Sequence, residues 1–171
     1  ALLLSTLVQF NDPTAVSLIR WLGETQCLTE QDETNIWKDA LKHLDDPNMR
    51  KRIVSFSQFA DLGIDDIEKV NNRLVSTHAQ FDENGDKAGN VSFPFEVNES
   101  EGTLKYFSFA YPIIHALDTG TRLIIDELGA KLHPTLLDHI VGLFNNATTN
   151  PRNAQLIFTT HDTNLLSSHL F

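Results

Sequence analysis

Three groups of residues in the last half of the chain have types and spacing that could do chemistry. Asp126-Glu127 directly follows the apolar run Thr121-Arg122-Leu123-Ile124-Ile125, and His161 directly follows Gln155-Leu156-Ile157-Phe158-Thr159-Thr160. Two adjacent carboxylates at the end of an apolar strand are costly to desolvate unless a cation or hydrogen-bond donors compensate them. Mg²⁺ carried by ATP would supply that compensation. In such a site Asp126 would hold the metal through its water shell, Glu127 would accept a proton from an attacking water, and His161 would contact the terminal phosphate. The third group is Glu99-Ser100-Glu101-Gly102-Thr103, ahead of the apolar positions Leu104, Phe107, Phe109, Tyr111, Ile114 and Leu117. Ser100 or Thr103 would cap a helix there, and its free backbone N–H groups, with Gly102 beside them, would admit a phosphate close to the backbone. Each group alone has an ordinary reading: a strand-end cap, a hydrogen-bonded histidine, a capped helix. Their order together points to nucleotide.

The elements needed to position these groups are legible around them. Two short apolar strands, 121–125 and 155–160, flank a helix that starts at Pro134 and carries Leu136, Leu137, Ile140, Val141 and Phe144. Strand, helix, strand at this spacing is a βαβ unit with parallel strands, so Asp126, Glu127 and His161 are expected at one edge of one sheet. Pro112 lies inside the preceding helix and predicts a kink. Upstream, Val75–Phe81 and Val91–Val97 are β-rich runs separated by Asp82-Glu83-Asn84-Gly85-Asp86, whose Asn-Gly pair predicts a hairpin turn. A calcium loop is excluded there, because Lys87 and Phe93 stand where that motif requires Gly and Glu. Residues 1–74 read as helices with short joints. Asp12-Pro13 opens one that Gly23 closes; a second carries Ile36, Trp37, Ala40, Leu41 and Leu44; a third starts at Asn48 and carries Ile53, Phe56 and Phe59/Ala60 on one face, with Gly63 at its end.

Composition narrows the class. With 41% hydrophobic residues, the chain can bury an ordinary core, which excludes disorder. Its 13 Lys and Arg against 23 Asp and Glu leave a net charge of −10, too few cations for a surface that grips nucleic acid by bulk electrostatics. The lone Cys27 has no internal disulfide partner, and no window reaches the ~20 apolar residues of a membrane helix, so a cytoplasmic protein without membrane contact is expected. The sequons at Asn90, Asn98 and Asn146 then carry no meaning.

The motifs Ser100-Glu101-Gly102-Thr103-Leu104-Lys105, Leu123-Ile124-Ile125-Asp126-Glu127-Leu128, Leu132-His133-Pro134 and Gln155 to Asp162 resemble, in this order, the carboxyl-terminal half of an ABC-type ATPase. The group they resemble is the AAA-annotated ATPases of prokaryotic abortive-infection and anti-phage systems, kin of the OLD and SMC-like ATPases. The resemblance implies an α/β fold: a helical lobe over 1–74, then part of a P-loop NTPase parallel sheet flanked by helices over 75–171, entered through a hairpin at 75–97. It implies that Ser100, Gly102 and Thr103 form the signature motif and act in trans on the other subunit's nucleotide. Asp126 and Glu127 become Walker B, with Asp126 on the metal and Glu127 catalytic. Leu132, His133 and Pro134 become the D-loop, and His161 a catalytic switch histidine. ATP and Mg²⁺ are the implied cofactors. A homodimer of head domains sandwiching nucleotide, a nuclease or toxin effector, and DNA or RNA are the implied partners.

One departure matters. No G-x-x-x-x-G-K-[ST] occurs in the 171 residues and no Q-loop can be assigned. In the family both lie amino-terminal to these motifs, and the first residue is not Met, so the expectation is a carboxyl-terminal portion of a longer chain, inactive alone. Two other readings need no phosphate loop: a metal-dependent phosphohydrolase or nuclease with Asp126, Glu127 and His161 as ligands, and a catalytically silent interaction module.

Overall fold

The structure, a computed structural model, describes residues 2–29, 39–61 and 63–161. Helices α1 (Leu2–Gln9) and α2 (Pro13–Gly23) lead into strand β1 (Thr25–Leu28). After α3 (Pro47–Ser57) come the strands β2 (Ile64–Val70), β3 (Arg73–Phe81) and β4 (Lys87–Pro94). The short α4 (Phe95–Asn98) and the long α5 (Glu101–Thr119) then precede β5 (Arg122–Ile125), α6 (Pro134–Asn145) and β6 (Gln155–Phe158). Two sheets result: a parallel one in the order β1-β5-β6 and an antiparallel one in the order β2-β3-β4.

The expected βαβ unit is present as β5, α6 and β6, with Ile125 opposite Phe158. The expected hairpin is also present, β3 against β4, closed by a turn in which Asp82 Oδ1 accepts the N–H groups of Asn84 and Asp86. Its second strand is shifted, beginning at Lys87 and ending at Pro94, where α4 takes over.

Helices alone over residues 1–74 is an expectation the structure corrects in two places. Thr25-Gln26-Cys27-Leu28 carries little strand propensity, yet it pairs in parallel with β5, with Leu28 opposite Ile125. Arg122 secures that pairing. The residue is 8% exposed, and its guanidinium lies 4.6 Å from the Trp21 ring centroid and donates to the Trp21 carbonyl at 2.6 Å and to Thr25 Oγ1 at 3.2 Å. A buried cation is tolerated when it is fully paired in this way. The second place is β2, whose Ile64, Ile67 and Val70 are spaced like a helix face. A β-bulge between Ile64 and Asp66 inserts one extra residue, which puts Ile64 and Ile67 on the same buried side of the sheet. The second expected helix falls largely on residues outside those described; 39–43 are helical. The third starts one residue earlier than expected, at Pro47, capped by Asp46, and ends at Ser57, well before Gly63.

Helix α5 is the hub. Its 19 residues continue through Pro112, and from Lys105 to Ala110 every side chain is buried. Phe107, Ala110, Ile113 and Ile114 belong to one apolar cluster with Leu123 and Ile125 of β5, Leu137 and Ile140 of α6, and Ile53 and Phe56 of α3. Each such fully buried large side chain contributes about 2 kcal/mol. Phe56 stacks on Tyr106 at 4.4 Å, and Arg52 grips Asp118 with two bonds of 2.5 and 2.8 Å, so α3 is tied to both halves of α5. The helix stops at Gly120, φ 72°, where an ideal Cβ would lie 2.7 Å from the Arg152 carbonyl oxygen.

Candidate functional site

Because Ile125 pairs with Phe158, the next residues on the two strands, Asp126 and Thr159, meet at the carboxyl edge of the parallel sheet. The Thr159 hydroxyl donates to Asp126 Oδ1 at 2.6 Å and accepts the Glu127 N–H at 2.8 Å. The Thr159 backbone extends the ladder, donating to the Ile125 carbonyl at 3.1 Å and accepting the Leu128 N–H at 3.0 Å. On the other side the Asp126 N–H bonds the Leu28 carbonyl at 2.9 Å, so β1 also supports the edge. Glu127 adopts φ 53°, a left-handed conformation unfavourable by ~1–2 kcal/mol for an L-residue. It is held there by its own N–H on Thr159 and by the Leu128 N–H that follows. His161 Nε2 stands 3.5 Å from Glu127 Oε1, with the imidazole 91% exposed and the carboxylate 40% exposed. The three residues expected at one edge are therefore together. Thr159, without a role in the sequence reading, sits between them; aligning the two strands by their apolar runs would have placed it opposite Asp126.

Ser100, Gly102 and Thr103 begin α5. Ser100 is exposed and caps the helix, its Oγ accepting the Thr103 N–H at 3.1 Å and lying 2.9 Å from Thr103 Oγ1. Thr103 is buried. Ser100 and Thr103 bond each other rather than the carboxylates at the sheet edge. The connection to that edge runs instead through Gly102, whose ideal Cβ would lie 3.2 Å from the Lys131 carbonyl oxygen. Lys131 closes the turn that starts at Asp126, itself at φ 65°. Its ammonium lies 3.8 Å from Glu101. Leu132, His133 and Pro134 leave this turn as the entry to α6: the Leu132 N–H bonds the Gly129 carbonyl, the His133 ring accepts the Thr135 N–H at 3.3 Å as the helix cap, and Pro134 is the first helical residue.

A further polar cluster lies one residue before the cap. The Glu99 carboxylate, 5% exposed, accepts a bond from the buried Ser76 hydroxyl at 2.6 Å and lies 2.8 Å from His78 Nε2. Its sequence signal is weak: Ser76 and His78 are polar residues on the inward side of β3.

The donor set at the sheet edge suits one kind of cation. Among the described residues, Asp126 has one oxygen on Thr159 and one uncommitted, Glu127 stands beside it, and no three His, Cys, Asp or Glu side chains converge as a metal cluster. One or two carboxylates fit Mg²⁺, which keeps most of its waters and takes further oxygens from a nucleotide's phosphates. A metal bound by protein alone would need more ligands.

A family model described as "AAA domain, putative AbiEii toxin, Type IV TA system" matches residues 6–167. The chain belongs to this family. The match runs across the helical elements as well as the sheet edge. Family membership makes it an ATPase-type, nucleotide-binding domain linked to toxin–antitoxin and abortive-infection systems, with nucleotide and Mg²⁺ as the ligands the class implies. None of the curated proteins compared with the AAA domain matches it. Among its described residues no helix is long and apolar enough to cross a membrane.

Proposed function

We propose that this AAA domain is the signature and Walker B portion of an ABC-type ATPase that acts as an ATP-driven switch in an anti-phage system, together with a nuclease or toxin effector. The observation that carries the reading is the Thr159 hydroxyl held between Asp126 and the Glu127 backbone, with His161 beside the Glu127 carboxylate. Asp126 would hold Mg²⁺, which supplies charge neutralisation on the phosphates. Glu127, its carboxylate 40% exposed, would take a proton from the attacking water, and His161, almost fully exposed, would donate to the terminal phosphate. Ser100, exposed at the start of α5, would face the nucleotide of a second subunit in a homodimer of the same domain. DNA or RNA would be met downstream, through the effector, since the −10 charge leaves this surface ill suited to bind it.

The test is Glu127→Gln in the ATPase-competent assembly, with a phosphate loop present. Turnover should fall by at least a hundredfold while ATP binding persists; a variant that still hydrolyses ATP at the native rate sinks the assignment. The 171 residues by themselves, lacking G-x-x-x-x-G-K-[ST], should show no tight ATP binding by calorimetry. Metal-dependent nuclease activity in this chain, lost in Asp126→Ala, would instead favour the phosphohydrolase reading.

A further inference from the structure

We propose that Glu99, with Ser76 and His78, is a positioning latch that sets the signature serine, and so couples the antiparallel sheet to nucleotide contact. The inference rests on the reading of Ser100 as a nucleotide-facing residue. Glu99 and Ser100 are consecutive, both in extended conformation, at ψ 155° and 154°, and they are the whole connection between the end of α4 and the first residue of α5. The backbone on one side is fixed by the Glu99 N–H on the Phe95 carbonyl at 3.1 Å, and Phe95 is fully buried against Phe107 of α5. The side chain fixes the other direction. Among the described residues, the polar contacts of the Glu99 carboxylate come from β3, Ser76 and His78, two residues apart and on one face of the strand.

A carboxylate this buried is held firmly by its donors, because leaving them would strand a charge away from water. The neighbouring structure makes room for that arrangement. His78 packs on the Phe93 ring of β4, and an ideal Cβ at Gly63, ahead of β2, would come 3.2 Å from His78 Nδ1. Each of the three strands therefore touches the latch: β3 supplies it, β4 covers it, and the entry to β2 closes on it. A movement of this sheet would be passed through Glu99 to Ser100 Oγ, and from there to the Thr103 N–H that Ser100 caps.

The experiment is a double-mutant cycle in the ATPase-competent assembly, combined with hydrogen exchange on the same protein. Glu99→Gln should lower kcat about tenfold with KM for ATP little changed. It should also raise exchange at the Thr103 and Leu104 amides without affecting strand β6. Combined with Ser100→Ala, it should add nothing further, since the latch acts only through the hydroxyl that Ser100→Ala removes. His78→Gln, which keeps a donor within reach, should recover most of what His78→Ala loses. If Ser100→Ala lowers turnover while Glu99→Gln leaves both kcat and the Thr103 amide unaltered, or if the two changes are additive, the latch is refuted and the signature reading stands. If Ser100→Ala itself leaves turnover and ATP-dependent dimerisation unchanged, the signature reading fails and the latch falls with it.

Discussion

The hydroxyl of Thr159 lies 2.6 Å from Asp126 Oδ1, so a residue at the end of β6 orients a carboxylate at the end of β5. The same oxygen receives the Glu127 N–H. One hydroxyl thus fixes the direction of the first acidic side chain and the backbone of the second.

Thr159→Val keeps the side-chain shape and removes both bonds. A hydrogen bond to a charged group is worth about 1.5 kcal/mol or more, close to a factor of ten in rate. Steady-state ATP hydrolysis by the assembled enzyme is expected to drop about tenfold, and Thr159→Ser, which retains the hydroxyl, should stay near the native rate.

Glu127→Gly separates the backbone demand from the chemistry. Glycine adopts φ 53° without the penalty that glutamate carries, so the variant should gain about 1 kcal/mol of folding stability while losing turnover. Urea denaturation checks the first half, and a lower midpoint would show that the left-handed turn is not strained.

Gly120→Ala should do the reverse at the far end of α5. The position needs φ 72°, and a methyl group would meet the Arg152 carbonyl oxygen at 2.7 Å. A loss of about 2 kcal/mol is expected from conformation and clash together. It would be read as an earlier denaturation midpoint.

Stability should also fall in mild acid. His139 of α6 packs its ring on Phe59 at 3.7 Å and shares a hydrogen bond with the Tyr106 hydroxyl, and burial holds its pKa below the ordinary 6.5. The unfolded chain therefore takes up a proton that the folded one resists. The contribution of neutral His139 is complete above pH 6.5 and is lost as pH falls below that value toward the depressed one. Asp118, held low by the bonds from Arg52, adds a second loss only below the ordinary carboxylate range. Denaturation midpoints at pH 7.5 and 5.5 should differ in the native protein and converge in His139→Phe.

The parts of the fold legible in the sequence are those in which local pattern and tertiary role agree. The apolar runs before Asp126 and through Phe158, the Asn84-Gly85 turn and the serine cap of α5 all read correctly as elements, because strand-length apolar runs, turn chemistry and capping leave strong local marks; β6 is less buried than its sequence suggests, with Ile157 51% exposed. β1 left none: Thr25-Gln26-Cys27-Leu28 becomes a strand only because β5 offers it a partner and Arg122 clamps it. β2 was hidden by its bulge, which turns a two-residue alternation into a three-residue spacing. At the site, the acidic pair and His161 could be placed by strand order alone. Thr159 and Glu99 could not, since a threonine at a strand end and a glutamate before a helix are ordinary until register brings partners to them.

Gly102 has a mechanical consequence. With only hydrogen where a side chain would be, the first turn of α5 rests on the Lys131 carbonyl with no compressible filler between them. The loop holding Glu127 and the helix holding Ser100 therefore share a hard stop. A shift of the loop toward the helix would press directly on the first turn of α5, a helix about 28 Å long. At its other end Asp118 holds Arg52, so α3 is the element to which such pressure on α5 would pass.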